Sequence, residues 1–314
     1  MVFLLKKKEG RSTYYYLAHN QRISGKKWKS FRKYLGITAP NNKEFERLKK
    51  RFVEEFNITL ETPFEYLDKE KLAKVDYLIG EFQDKIKKYP RIALEKIERD
   101  FTIKFTYNTN AIEGNQISLI ETAALLNKKI TPEGRSLREI HEITNTEKAL
   151  NYVKKYGGEL SKRLFCNLHK IIMENIDEET SGKLRDFDVA IQGANWFPPR
   201  GKEVKKKFGE FMKWYKENKN KYHPIELVAI THLKFIEVHP FGDGNGRIAR
   251  LMTNFLLMKK GYPPINIKQK DTIEYVKVLQ YGQNTQRFKE LCDWFLQKLG
   301  EGYVESIAQK EEKH

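Results

Sequence analysis

The stretch Val238-His239-Pro240-Phe241-Gly242-Asp243-Gly244-Asn245-Gly246-Arg247-Ile248-Ala249-Arg250 decides how this chain reads. After it, Ile248, Leu251, Met252, Phe255, Leu256 and Met258 recur at helical spacing until Gly261 and Pro263-Pro264 end the run. Gly244-Asn245-Gly246 therefore open a helix. The first turn of a helix carries unpaired N–H groups and a partial positive charge, so Arg247 and Arg250 are misplaced there unless an anion joins them. Such local conflicts tend to mark function. Glycines let successive N–H groups converge on that anion, and two guanidinium groups three positions apart can hold different oxygens of a polyphosphate.

Upstream, Ile225, Val228, Ala229, His232, Phe235 and Ile236 form a second helical stripe. His239 then falls just past that helix, a base beside an anion cradle. Asp243 adds an oxygen ligand on the same loop, and Mg2+ commonly takes one or two carboxylates together with substrate phosphates. A magnesium ion is expected there. No Lys-Ser or Lys-Thr follows the last glycine and no strand pattern precedes the loop, which excludes a P-loop and the dinucleotide fingerprint. His232 and His239 do not make a zinc pair, because seven helical residues span about 10.5 Å. His232 reads instead as a hydrogen-bonded core histidine.

These residues resemble the signature of the Fic family, His-Pro-Phe-x-Asp/Glu-Gly-Asn-Gly-Arg-x-x-Arg, with every defined position present. The resemblance implies transfer of AMP from ATP to a Ser, Thr or Tyr hydroxyl of a target protein, with pyrophosphate leaving. It makes His239 the general base and Asp243 the magnesium ligand. Gly244, Asn245 and Gly246 become the anion hole, with Asn245 counted among the catalytic residues, and Arg247 and Arg250 hold the outgoing phosphates. Phe241 has no polar role and reads as a hydrophobic peg. Positioning and charge stabilisation around an in-line attack suit this chemistry.

A second conflict lies at Thr109-Asn110-Ala111-Ile112-Glu113-Gly114. The run Ile92 to Ile112 reads as a helix capped by Gly114, which leaves Glu113 at the negative end of its dipole. On sequence alone Glu113 also fits a solvent-facing residue before a turn. The run resembles the Ser/Thr-x-x-x-Glu-Gly/Asn inhibitory helix of one Fic class, with Thr109 and Glu113 matching. That resemblance implies that Glu113 pairs with Arg250 and keeps the ATP γ-phosphate from seating. In some relatives the same glutamate supports removal of the modification.

Further along, Ser118 and Glu121 form a capping-box pair opening a short helix, and Asn145 and Ala149 lie on the next, where the family also has asparagine and alanine. After Gly182-Lys183-Leu184-Arg185, residues 189–199 read as a hairpin around Gln192-Gly193. It resembles the family's flap, which clamps a target by strand addition and implies docking roles for Val189, Ile191, Trp196 and Phe197. Tyr275 and Gln283 fall where relatives line the nucleoside pocket, whereas Val276 departs from the tyrosine common there.

The 314 residues carry a net charge of +17, and residues 1–50 hold fourteen Lys and Arg against three Glu. Val2–Lys8, Ser12–Ile23 and Lys26–Leu35 read as three short strands, a basic antiparallel module over 1–40. Tyr14, Tyr15, Tyr16, Trp28, Phe31 and Tyr34 interleave with its cations, as on a nucleic-acid face. The competing reading packs those aromatics on a helix from Lys43 to Phe56. Residues 41–90 are expected as connecting helices, 91–300 as a Fic-like domain, and 301–314 as a polar tail. Within the domain the inhibitory helix spans about 92–113, the flap about 187–200 and the signature loop 239–250.

Two cysteines, Cys166 and Cys292, are too few for a disulfide framework. No apolar run approaches membrane length and none makes a signal peptide, so a cytoplasmic protein is expected. The fold class is mainly α, a Fic-like helical core with a β-hairpin flap behind a small basic β module. The function expected is AMP transfer with ATP and Mg2+, restrained by Glu113. Two alternatives stay open, a nucleic-acid-binding regulator with a nucleotide-sensing core and transfer of another nucleotide or a phosphate, as does a homo-oligomer.

Overall fold

The computed structural model describes residues 2–9, 12–24, 27–56, 65–191 and 196–311, excluding the side chains of 20–28 and 302–311. Three antiparallel strands, β1 (Phe3–Glu9), β2 (Ser12–Ser24) and β3 (Lys27–Gly36), form a sheet in the order β1-β2-β3. The register pairs Phe3 with Ala18 and Leu4 with Leu17. Because successive side chains alternate, the sheet has two apolar faces. Helix α1 (Asn42–Glu55) packs Phe52 against Val2, Leu17 and Phe31, while α2 (Lys69–Ile86) lays Ala73 and Tyr77 on Phe3 and Ala18.

The helices expected merely to connect thus cover both sides of the sheet. Phe31 lies 5.4 Å from Phe56, Tyr14 and Tyr16 pack on Tyr34, and Arg32 sits over the Tyr77 ring and pairs with Glu81. Several of the aromatics that read as a nucleic-acid face are therefore spent within the module. The Trp28 side chain lies outside the described residues.

The larger body is helical: α3 (Arg91–Ala111), α4 (Leu119–Lys128), α5 (Leu137–Lys155), α6 (Lys162–Met173), α7 (Gly201–Asn218), α8 (Pro224–Val238), α9 (Asn245–Lys259), α10 (Thr272–Thr285) and α11 (Lys289–Glu311). The predicted capping box is present, with Ser118 and Glu121 each accepting from the other's backbone N–H. Helices α8 and α9 are buried on nearly every side, as apolar-all-round helices must be. Around them pack Phe165, Phe208, Phe211, Phe235 and Leu256.

Two expectations need correction. Residues 301–311 are not a tail but the continuation of α11, whose Glu, Gln, Lys and Ala favour helix. Residues 189–191 and 196–200 form no strand, so among the described residues the flap is not a hairpin. Its expected turn, 192–195, lies outside them.

One buried carboxylate joins the two parts. Glu226, on the first turn of α8, is fully buried, and its Oε1 accepts the backbone N–H groups of Glu65, Tyr66 and Leu67 at 3.0, 2.7 and 2.9 Å. Its Oε2 accepts from the His223 N–H at 3.3 Å. Replacing it with alanine leaves these four amides without their acceptor, and Glu226→Ala is expected to destabilise the protein by about 3 kcal/mol. Chemical unfolding checks the magnitude, and faster amide exchange at residues 65–67 checks the cause.

Candidate active site

Helix α8 ends at His239, whose backbone is left-handed, with φ 44° and ψ 61°. For a non-glycine residue this conformation costs about 1 kcal/mol or more and persists only where its surroundings impose it. Arg185 is among those surroundings. Its buried guanidinium donates from Nε to the His239 carbonyl at 2.8 Å, from Nη1 to Phe187 and from Nη2 to Pro199, each also at 2.8 Å. The Arg185 N–H donates to the Pro240 carbonyl at 2.9 Å. One side chain thereby ties both ends of the flap segment to the candidate base, a role nothing in the local sequence pattern announced.

Burial first, and then the Arg185 charge, push the His239 imidazole down to about 4. At neutral pH it is uncharged and able to take a proton. The Trp196 ring lies edge-on at 6.4 Å, which places one expected flap residue beside His239. Phe197 is 88% exposed and Phe187 45% exposed. A Cβ on Gly242 would meet the Phe187 ring at 3.0 Å, so a larger residue there requires that ring to shift.

The loop after His239 is fixed by its own residues. Phe241 is fully buried and stacks on His169 with ring centroids 4.1 Å apart, the peg expected of it. The Asn245 side chain accepts from the Phe241 N–H at 3.0 Å and donates to the Phe241 carbonyl at 2.8 Å. Its carboxamide is thus engaged with the loop and sets the loop's shape. Gly244 turns the chain with φ 75° and leaves α9 without a side-chain cap. The first N–H groups of α9, from Asn245 and Gly246 onward, have no partner within the helix.

Arg247 in that first turn and Arg250 in the second are both buried. Arg247 approaches Asp243 at 3.3 Å and Glu142 at 3.5 Å, yet its Nε and Nη1 make no hydrogen bond. Asp243 also accepts from Arg138 at 2.6 Å and from the Gly244 N–H at 2.5 Å. Burial would raise the Asp243 carboxyl, but Arg247, the Gly244 amide and Arg138 together hold it below its ordinary value. Glu142 further accepts from Asn115 at 2.8 Å, just beyond α3. Arg138 and Glu142 carry no family signal and were missed in the sequence.

Arg250 is engaged more fully. Its Nε donates to Thr109 Oγ1 at 2.6 Å, and its Nη2 donates to the Thr109 carbonyl at 2.8 Å and to Glu113 Oε1 at 2.6 Å. Burial opposes the charge on Arg250, but the facing Glu113 outweighs it and raises the pKa. Glu113 follows α3, and Gly114 with φ 97° turns the chain away. A Cβ built on Gly246 would lie 2.2 Å from Glu113 Oε1, so the carboxylate rests directly on the glycine cradle. Two groups each misplaced on its own helix are thus relieved by one another.

The remaining expected residues divide. Tyr275 is buried, its hydroxyl 2.8 Å from His232 Nε2 and close to Arg250, so it backs the ion pair instead of lining an open nucleoside pocket. His232 is the core histidine expected, with Thr253 Oγ1 on its other nitrogen at 2.8 Å. Gln283 is half-buried, and its Oε1 is buried without a partner. Val189 and Ile191 are half-buried in the flap segment. Among the described residues no three His, Cys, Asp or Glu side chains cluster as a metal cage. An ion on Asp243 would therefore need phosphate oxygens and water for its other ligands, as magnesium commonly does.

Residues 159–257 match the sequence model of the Fic/DOC family. The chain is 30% identical over 220 residues to "Protein adenylyltransferase Fic" of Nematostella vectensis, covering 68% of this chain and 50% of that protein. It is 33% identical over 189 residues to "Protein adenylyltransferase fic-1" of Caenorhabditis briggsae, covering 58% of this chain and 37% of that one. The chain thus spans about half or less of the curated relatives it matches. A solved segment of C. elegans Fic-1 superposes with a TM-score of 0.69 at 26% identity, covering 88% of this chain and 80% of that one. A Fic-domain signalling protein of Bacteroides thetaiotaomicron shares the fold, with a TM-score of 0.67 at 24% identity over 75% of this chain and 94% of that one.

His169, His232 and His239 are all pushed down by burial, to about 4, about 3 and about 4. Their ordinary value lies near 6.5, so as pH falls from about 6.5 to about 4 the unfolded chain takes up protons that the folded chain refuses. This contribution to stability is complete above about pH 6.5 and declines as pH falls. Half-buried Asp76, pushed up to about 7, acts in the opposite sense over much of that range. Carbon-bound ring proton resonances of the three histidines are expected to titrate below pH 5 in the folded protein. A midpoint near 6.5 for the half-buried His239 would remove the case for a neutral base.

Proposed function

Because the chain is a member of the Fic/DOC family, we propose that it transfers AMP from ATP to a Ser, Thr or Tyr hydroxyl of a protein target and that Glu113 restrains the reaction. The target oxygen attacks the α-phosphorus, the bond from that phosphorus to the bridging oxygen breaks, pyrophosphate leaves, and His239 takes the hydroxyl proton. A neutral imidazole suits that last step. Arg247 brings a buried charge with unused donors, and the opening amides of α9 point the same way, so a phosphate chain fits the cradle. Gln283 Oε1 is a buried acceptor available to the nucleoside.

Asp243 would hold a magnesium ion, which when bound offsets phosphate charge, and Arg138 would have to yield that carboxylate. The observation that carries the restraint is the Glu113 carboxylate lying on Gly246 and bonded to Arg250 at 2.6 Å. A terminal phosphate and this carboxylate compete for one guanidinium. Arg250 is buried but the Glu113 side chain is about one-third exposed, so the pair is worth less than a fully buried one.

Glu113→Gly is expected to raise auto-modification and target labelling roughly tenfold to a hundredfold. His239→Ala in that background is expected to abolish AMP transfer while ATP still binds. Intact-mass spectrometry after incubation with ATP and magnesium reads both. Adduct-free Glu113→Gly protein, or undiminished labelling by the His239→Ala variant, would overturn the assignment.

A further inference from the structure

We propose that a basic cleft at the base of the flap recognises an acidic segment of the target protein beside the hydroxyl to be modified. The cleft, about 430 Å³, is lined by Lys162, Lys183, Lys202 and Lys205, with Arg185 at its wall and Asp186 as its only acidic residue. Arg185 is occupied by three carbonyls and Lys183 donates to the Glu179 carbonyl at 2.8 Å. Among the described residues Lys162, Lys202 and Lys205 have no carboxylate within 4.0 Å; the charges facing the cleft are not consumed by the fold.

The charges on α7 are sorted. Glu203, Glu210 and Glu217 recur every seven residues along one stripe of the helix, where Glu210 pairs with Lys207 and Glu217 with Lys213. Lys202 and Lys205 lie to the other side and face the cleft. Lys162 is the first residue of α6 and Lys202 the second of α7, so both cations stand at the positive ends of helices. Lysine is electrostatically disfavoured at such an end, and while Asp188 and Glu203 supply negative charge at the start of α7, the first turn of α6 holds no acidic residue. The same conflict led from Arg247 and Arg250 to an anion.

Position gives the cleft its meaning. Its wall residue Arg185 donates to the His239 carbonyl at 2.8 Å, and a Cβ on Gly201 would collide with the Asp186 carbonyl at 2.1 Å. Cleft, flap base and candidate base are therefore one packed unit. A chain docked along the exposed Phe187 and Phe197 with its hydroxyl at His239 has the cleft within a few residues. Aspartate or glutamate at those positions meets unpaired lysines, which steers encounter and selects the target. The link to substrate choice rests on the AMP-transfer reading, whereas binding to the cleft does not.

The test uses the full chain and a labelled peptide in which one threonine precedes a run of glutamates, with glutamine in place of glutamate as its control. By fluorescence anisotropy the acidic peptide is expected to bind roughly tenfold more tightly than the control, weakening as salt rises from about 50 to about 300 mM. Lys202→Glu/Lys205→Glu, both surface changes, is expected to abolish that preference without altering auto-modification of Glu113→Gly protein. In the same background the acidic peptide is expected to show the lower KM. Equal binding of the two peptides, or an unchanged preference in the double variant, would overturn the proposal. So would a single-stranded oligonucleotide that binds more tightly than the acidic peptide and is lost in the double variant. Binding that follows the expected pattern without threonine labelling upholds the cleft and counts against the transfer chemistry alone.

Discussion

Two buried guanidinium groups at the positive end of one helix set the terms for this protein. Arg247 and Arg250 are respectively 1% and 3% exposed, and a charge so placed is tolerated only with partners. Arg250 has a hydroxyl, a carbonyl and a carboxylate, all brought by the far end of α3. Arg247 has two carboxylates at longer range and idle donors. The asymmetry describes a site held between states, in which one cation is satisfied from within the chain and the other still has capacity for an outside anion.

The rest of the helical body serves to keep that end of α9 in place. Burial of α8 and α9 on most sides fixes their shared loop from beneath, and Phe241 anchors it against His169 and Phe235. Asn245 closes the loop on itself, so the amides are arranged before any ligand arrives and little ordering remains to be done on binding. Arg185 does the equivalent work from above, since its three carbonyl partners come from the base and from either end of the flap segment. Glu113 reaches the same cradle from α3, with its carboxylate on Gly246 and its Oε1 accepting from Arg250.

Much of this was legible in the chain because it was written locally. Helix-forming periodicity, Gly261 as a stop, the Ser118 and Glu121 caps and the alternation of the three strands are short-range patterns, and all appear where expected. The two electrostatic conflicts were legible for the same reason, as charges on the wrong ends of predictable helices. Arg138, Glu142 and Arg185 were not, since each acts on a partner far away in sequence and none violates a local rule. Helix α1 and the sheet were both foreseen, but α2 on the opposite face was not, because periodicity locates an apolar stripe without naming what it meets. The flap failed differently: alternating residues suggested strands, whereas the described part runs along the surface of the core tied by Arg185 and by Asp188, which accepts the Gly201 N–H at 2.7 Å.

Glu226 carries a mechanical implication. The carboxylate that gathers the amides of residues 65–67 stands at one end of α8, and His239 stands at the other. A helix of 15 residues is stiff over its roughly 22 Å length, so strain applied at its start reaches its tip as displacement. Loss of those three amides would leave a bare negative charge at the root of this rod. The segment leading into α2 and His239 are thereby held at opposite ends of a single helix.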